Sequence, residues 1–286
     1  MVVAVKNYLS LVKFSHTIFA MPFAFIGYFL AYHSTGNQIS WILLLLVILC
    51  MVFARNAAMS FNRVVDRHQD KLNPRTRQRE IPRGIIKPGS ALIFTIINSV
   101  LFIMTTWFIN KLVFFLSPLA LLIILLYSYT KRWTYLCHLV LGLGLSLAPT
   151  GAYLAVTGHF SLMPLLYSLI VLFWVSGFDI IYSLQDEEFD RQENLKSIPS
   201  FIGREKALQV AAVFHSLAGA IVIFVGIKGN LDIWYWIGSI LFIILLIYQH
   251  MIINPTSIRK VNIAFATTNG IASITYAFFN IISFIA

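Results

Sequence analysis

The chain has 286 residues, 59% of them hydrophobic and 11% charged, with a mean hydropathy of +0.81, whereas a soluble domain carries about 25% charged residues. Its charges are unbalanced, 21 Lys and Arg against 11 Asp and Glu for a net +10, but so sparse a charge argues against a nucleic-acid partner and points to a lipid bilayer. Cys50 and Cys137 sit in apolar runs without disulfide or metal-site spacing, and nothing near the N-terminus has the pattern of a cleaved leader.

About 20 helical residues cross the apolar core of a bilayer. Nine segments qualify, over 14–33, 41–61, 91–110, 113–129, 136–157, 162–182, 208–227, 233–253 and 263–286. Their connections alternate in charge. Lys6 and Lys13 precede the first; Arg63, Arg67, Lys71, Arg75, Arg77, Arg79, Arg83 and Lys87 follow the second; Lys131 and Arg132 follow the fourth. Arg191, Lys196, Arg204 and Lys206 follow the sixth, and Arg259 and Lys260 the eighth. Eighteen basic residues thus share one side, against Lys111 and Lys228 on the other, with Arg55 inside the second span. The split places the N-terminus and the long connections, 63–90 and 183–207, in the cytoplasm; an odd number of spans leaves the C-terminus outside. The expected fold is all-α, a polytopic membrane protein of nine helices forming one domain over 1–286. Gly142, Gly144, Pro149 and Gly151 in the fifth span read as close helix packing or a kink.

Ten of the eleven acids fall in two clusters on the cytoplasmic side: Asp66, Asp70 and Glu80 after the second span, and Asp179, Asp186, Glu187, Glu188, Asp190, Glu193 and Glu205 around the end of the sixth. Asn62, Asp66 and Asp70 are spaced i, i+4, i+8, which stacks side chains on one helix face, and Asp186 and Asp190 repeat the step. Asp179 lies two turns earlier, at membrane depth, where an ionisable group is costly and marks function. Each acid alone reads equally well as a solvated helix end paired to a nearby arginine; two matching ladders on one membrane face do not. Carboxylates at this spacing suit magnesium, which keeps waters and binds phosphate oxygens, so the ladders could hold a diphosphate, with the interleaved arginines and lysines neutralising its remaining charge. A phosphorylated substrate at a membrane surface suggests a lipid at its other end.

These residues resemble a known family. ARNAAMSFNRVVDRHQD, ending at Asp70 and followed by NPRT and REIPRGII, resembles the first signature of the UbiA superfamily of intramembrane prenyltransferases, NxxxDxxxD, here Asn62, Asp66 and Asp70. DIIYSLQDEEFD resembles the second, whose DxxxD core is Asp186 and Asp190, and YSYTK matches its YxxxK, Tyr127 and Lys131. LKSIPSFIG, at 195–203, is similar to the segment that follows the second signature in 4-hydroxybenzoate polyprenyltransferases. The likeness covers essentially the whole chain; Glu187 and Glu188 only make the second motif more acidic than it needs to be.

The resemblance implies a helix bundle around a central cavity under cytoplasmic cap loops, in the bacterial inner membrane. It implies that Mg2+ held by Asp66, Asp70, Asp186 and Asp190 grips a polyprenyl diphosphate, whose C–O bond ionises to an allylic cation that an electron-rich aromatic ring attacks. Asn62 would complete the metal set; Lys71, Arg75, Arg79 and Lys131 would face the diphosphate, and Tyr127 the reacting centre. Arg55 would bind an acceptor carboxylate or a phosphate, unless it only snorkels to the cytoplasmic face; Asp179 and Tyr182 would orient the metal or acceptor. His16 and His68 read as packing or surface residues. The acceptor would be an aromatic acid of the 4-hydroxybenzoate kind, in ubiquinone formation, or a different aromatic acid in futalosine-route menaquinone synthesis. Two other classes fit less well. A CDP-alcohol phosphotransferase needs a DG dipeptide, absent here, and a transporter would gather its charges near midplane rather than at one face.

Overall fold

Hydrocarbon offers no water to backbone N–H and C=O groups, so a chain of this composition closes its hydrogen bonds within helices. The computed structural model describes residues 2–12, 21–254 and 261–286. Its helices are α1 (Val2–Leu11), α2 (Met21–Thr35), α3 (Trp41–Val65), α4 (Arg67–Leu72), α5 (Pro88–Trp107), α6 (Lys111–Trp133), α7 (Cys137–Thr157), α8 (Leu162–Ser183), α9 (Glu187–Gln192), α10 (Ile198–Gly229), α11 (Ile233–Ile252) and α12 (Asn269–Ile285). Among the described residues eight helices are long and apolar enough to cross a membrane, one fewer than expected. The expected first span corresponds to α2, which begins at Met21; the rest of it, with His16 and Lys13, lies outside the described residues, as do Arg259 and Lys260.

Several boundaries move in ways that matter for function. α3 continues past 61 to Val65, so Asn62 and Arg63 are helical, and α6 continues past 129 to Trp133, which carries Lys131 and Arg132 on its last turn. The two long connections are folded rather than open. The first contains α4 and a run of turns that ends at the Pro88 start of α5; the second contains a single 3-10 turn (Leu184–Asp186) and α9. α10 starts at Ile198, ten residues before the expected span, where Ser197 and Ser200 form a reciprocal capping box, and its chain breaks direction at Gly203, whose φ of 79° suits glycine. The expected ninth span opens with a π-helix (Ile263–Thr268), whose freed carbonyls at Ala264 and Phe265 accept from Asn269 Nδ2.

The bundle has a packed side and a hollow side. α2, α8, α10, α11 and α12 enclose a dense cluster around Phe23, Tyr167, Trp174, Tyr235, Phe242 and Tyr276. Their polar atoms are satisfied inside it, with Tyr167 donating to Asn280 at 2.6 Å and Trp174 to Asn269 at 3.0 Å. α3, α5, α6, α7 and α8 instead surround a cavity of about 550 Å³. The glycine of α7 that faces α8 behaves as the sequence suggests, since a Cβ on Gly142 would lie 2.5 Å from the Leu172 carbonyl oxygen.

Candidate active site

The first acid ladder is a bent one. α3 ends at Val65 and Asp66 occupies the joint before α4, yet the helical hydrogen bonds from Asp66 N to Asn62 O and from Asp70 N to Asp66 O persist at 2.9 and 2.8 Å, so the side chains of 62, 66 and 70 still follow one face. The second ladder is likewise interrupted: Asp179 lies in α8, Asp186 ends the 3-10 turn and Asp190 lies in α9. Both ladders face a polar cavity of about 140 Å³, lined by Asn62, Asp66, Asp70, Asp186 and Asp190, with Tyr127 and Lys131 from α6 between them.

Asp66, Asp70, Asp186 and Asp190 each have a cationic partner. Arg75 grips Asp186 through two guanidinium nitrogens, Arg79 reaches Asp70 at 2.7 Å, Lys131 reaches Asp190 at 3.0 Å and Arg132 reaches Asp66 at 3.1 Å. Lys131 and Arg132 are successive residues about 100° apart around α6, so this one helix end serves both ladders. Asn73 and Arg75, on the connection after the first ladder, cross the cavity to bond Asp186 of the second, and Asn73 Oδ1 accepts from the Arg75 backbone N–H in a local Asx turn. Burial works against the charge on Arg75, but its hydrogen bonds to Asp186 outweigh this and raise its pKa; burial pushes the Asp66 carboxyl up, with Arg132 pulling the other way.

The donor set suits a hard divalent cation. Asp70, Asp186 and Asp190 are 5%, 6% and 1% exposed, and Asp70 Oδ2 is buried without a hydrogen-bond partner. Among the described residues no three acidic, His or Cys side chains converge into a closed cage. An ion held by one or two carboxylates that completes its shell with water and phosphate oxygens does not require such a cage.

Most of the expected site residues meet here. Asn62, Arg79, Tyr127, Asp179 and Tyr182 line the polar cavity and also the larger apolar one, so they form the seam where the two join. Tyr182 accepts a 2.9 Å hydrogen bond from Arg75 and stacks on Phe265 of the π-helix at 4.1 Å. Arg55 lines only the apolar cavity, and its buried Nε has no partner. Lys71 is not brought in: it is exposed on α4 and lines neither cavity, because it lies about 100° around the helix from Asp70, which faces the polar cavity. Arg67 instead donates to the Val64 carbonyl, Arg77 is exposed, and His68 is exposed as expected. Glu187 takes a structural part, pairing with Arg191 at 2.9 Å and Arg204 at 2.6 Å to tie α9 to α10, and Glu188 faces outward.

Three further residues escape a reading of the sequence. His138, fully buried on α7, bonds Asp179 through Nδ1 at 2.7 Å, and its Nε2 accepts from the Ile198 backbone N–H. A backbone N–H can only donate, so Nε2 carries the lone pair and Nδ1 the proton given to Asp179. Arg63, one of the basic residues interleaved with the first ladder that the sequence offers to a phosphate, is 4% exposed and lines the apolar cavity, with its buried Nε unpartnered. Asn73 and Arg132 complete the set. The only signals for them in the sequence were Asn73 beside Pro74 and the Lys131–Arg132 doublet.

Comparison with known proteins agrees with this geometry. The model of the UbiA prenyltransferase family matches residues 20–280. The chain is 30% identical over 212 residues to the 4-hydroxybenzoate octaprenyltransferase of Vesicomyosocius okutanii, covering 74% of this chain and 77% of that one. It superposes on a UbiA homolog from Aeropyrum pernix K1 with a TM-score of 0.80 at 28% identity, over 94% of this chain and 97% of that one. It shares its fold with a UbiA homolog from Archaeoglobus fulgidus bound to DMAPP and Mg2+, with a TM-score of 0.78 at 23% identity and coverage of 98% and 99%. The chain belongs to the UbiA prenyltransferase family and is an aromatic prenyltransferase.

Proposed function

We propose that the protein transfers a polyprenyl group from a polyprenyl diphosphate to an aromatic acid of the 4-hydroxybenzoate kind, with Mg2+ as cofactor and pyrophosphate as leaving group, in quinone synthesis at the cytoplasmic face of a bacterial inner membrane. One observation carries this reading: a polar cavity walled by five aspartates and the cations paired with four of them shares a seam of lining residues with a larger apolar cavity. The 30% identical octaprenyltransferase supports the acceptor class, and the eighteen-to-two division of basic residues supports a cytoplasmic site.

In this reading Asp66, Asp70, Asp186 and Asp190, with Asn62 beside them, would hold Mg2+, which would supply positive charge to the departing diphosphate. Arg75, Arg79 and Lys131 already point into the polar cavity and meet the diphosphate oxygens there. The allylic C–O bond breaks, its electron pair leaves with pyrophosphate, and a carbon of the acceptor ring forms the new C–C bond before losing its proton to restore aromaticity. Tyr127, Tyr182 and Asp179, at the seam between the cavities, orient these groups. His138 fixes the Asp179 carboxylate by donating to it. The apolar walls exclude the water that would quench the allylic cation. Arg55, whose Nε lacks a protein partner, takes the acceptor carboxylate.

The test is mass identification of the product formed from one polyprenyl diphosphate and a panel of monocyclic and bicyclic aromatic acids, with pyrophosphate release followed with and without Mg2+. Prenylated 4-hydroxybenzoate is the expected product, and release stops when the metal is chelated. Arg55→Gln is expected to raise the KM for the acid about tenfold or more while leaving the KM for the diphosphate unchanged, the effect of removing one charge-assisted hydrogen bond. Prenylation of a bicyclic acid alone would move the protein to another quinone route, and an equal rise of both KM values in Arg55→Gln would remove Arg55 from acceptor binding.

A further inference from the structure

One aromatic side chain links the packed side of the bundle to the hollow side. Among the described residues beyond Tyr182, Phe265 alone lines the apolar cavity, and it stands on the π-helix that opens the last span. Its ring stacks on Tyr182 with centroids 4.1 Å apart and meets Phe178 edge-on at 5.5 Å. Tyr182 belongs to the seam between the two cavities and accepts from Arg75, so only one side chain separates Phe265 from that arginine.

This placement depends on an uncommon backbone. A π-turn leaves carbonyls without their usual helical donors, and buried carbonyls need other partners. Thr268 Oγ1 donates to the Ile263 carbonyl, and Asn269 Nδ2 donates to those of Ala264 and Phe265, at 3.2 and 3.0 Å. Asn269 is fully buried, and its Oδ1 accepts from Trp174 Nε1 of α8 at 3.0 Å and from Gln249 Nε2 of α11 at 2.7 Å. An indole N–H can only donate, which fixes the orientation of the amide and leaves none of its donors or acceptors unused. A plain α-turn would satisfy its own carbonyls without this device. The π-turn therefore has its reason in where it sends its side chains, and such turns recur at functional sites.

We propose that Phe265 is the wall that selects the acceptor and that Asn269 is its positioning residue: the ring held against Tyr182 bounds the space beside the seam in which the aromatic acid stands, and restricts that acid to a single ring. The inference rests on the function proposed above and deepens it. The new C–C bond forms where the polar and apolar cavities join, so the acceptor ring packs against the aromatic side chains gathered there, Phe265, Tyr182 and Phe178.

The experiment measures kcat/KM for a monocyclic and a bicyclic aromatic hydroxy acid with one prenyl diphosphate and takes their ratio. Phe265→Ala should shift the ratio toward the bicyclic acid by about tenfold or more, the scale on which a pocket discriminates by size, with the KM for the diphosphate within about twofold of the parent. Phe265→Leu, a smaller reduction, should shift it less and carries the test if the alanine variant does not fold. Asn269→Ala frees the π-turn carbonyls and should shift the ratio in the same direction, and Asn269→Ser, which keeps one donor, is its milder second variant. Asn280→Ala removes another fully buried amide of α12, one bonded to Tyr167 and lining neither cavity, and should lower the melting temperature while leaving the ratio at the parent value. A shift in Asn280→Ala equal to that in Asn269→Ala, or a parent ratio in both Asn269 variants, would overturn the positioning role. A parent ratio in both Phe265 variants would overturn the whole inference while leaving the proposed function intact. A parent enzyme that prenylates neither acid would instead overturn the proposed function, and this inference with it.

Discussion

Asp186 is held by Asn73 and Arg75, residues more than a hundred positions away in the chain, and Asp179 by His138 from the neighbouring helix. Such groups are costly to leave single. Asp186 is buried while Arg75 reaches solvent, so Arg75→Ala should lower the melting temperature in detergent as well as the activity, since it leaves Asp186 with Asn73 as its one remaining hydrogen-bond donor. Asp186→Asn and Asp66→Asn keep the side-chain shape and test chemistry more cleanly. Each should reduce pyrophosphate release by about 10²-fold or more, the scale of removing one electrostatic stabiliser of a developing anion. His138→Ala leaves the Ile198 N–H and an Asp179 oxygen without protein partners, about 1–3 kcal/mol for each group, and thermal unfolding should register it.

At the level of elements, α7 uses glycine for two purposes that its sequence does not distinguish. Gly142 permits the approach of α8, so Gly142→Ala forces a Cβ to within 2.5 Å of the Leu172 carbonyl and should cost about 1–3 kcal/mol. Gly151→Ala adds a methyl to open space in a helix interior and should be neutral or stabilising by roughly 0.5–1 kcal/mol. The pair of melting temperatures separates a packing glycine from a cavity glycine. The end of α6 shows a related economy, since its last turn sends Lys131 to one acid ladder and Arg132 to the other, which links the ladders without a dedicated element.

Across the whole molecule, the hydrophobic cluster among α2, α8, α10, α11 and α12 provides the rigid half against which the hollow half is built. The proposed orientation rests on the charge distribution. In a background with Cys50 and Cys137 replaced, Lys228→Cys should react with a membrane-impermeant thiol reagent in intact cells, and Arg83→Cys only after the membrane is opened; the reverse pattern would invert the topology. Both side chains are exposed, so access rather than burial decides the result.

The sequence by itself determined the solvent, the helical class, the spacing of the two acid ladders and the family likeness, because hydropathy, charge asymmetry and helical spacing are local properties of the chain. It placed Asn62, Asp66, Asp70, Asp186 and Asp190 in two ladders that the structure brings to one cavity, but it also offered Lys71, which sits about 100° around α4 from Asp70 and faces outward. Only the tertiary structure decided that Arg75 crosses to Asp186, that His138 fixes Asp179, that Arg63 faces the cavity, and that Gly151 borders empty space while Gly142 does not. Those facts depend on which helices become neighbours and at what rotation, a result of packing the entire bundle that no single segment encodes.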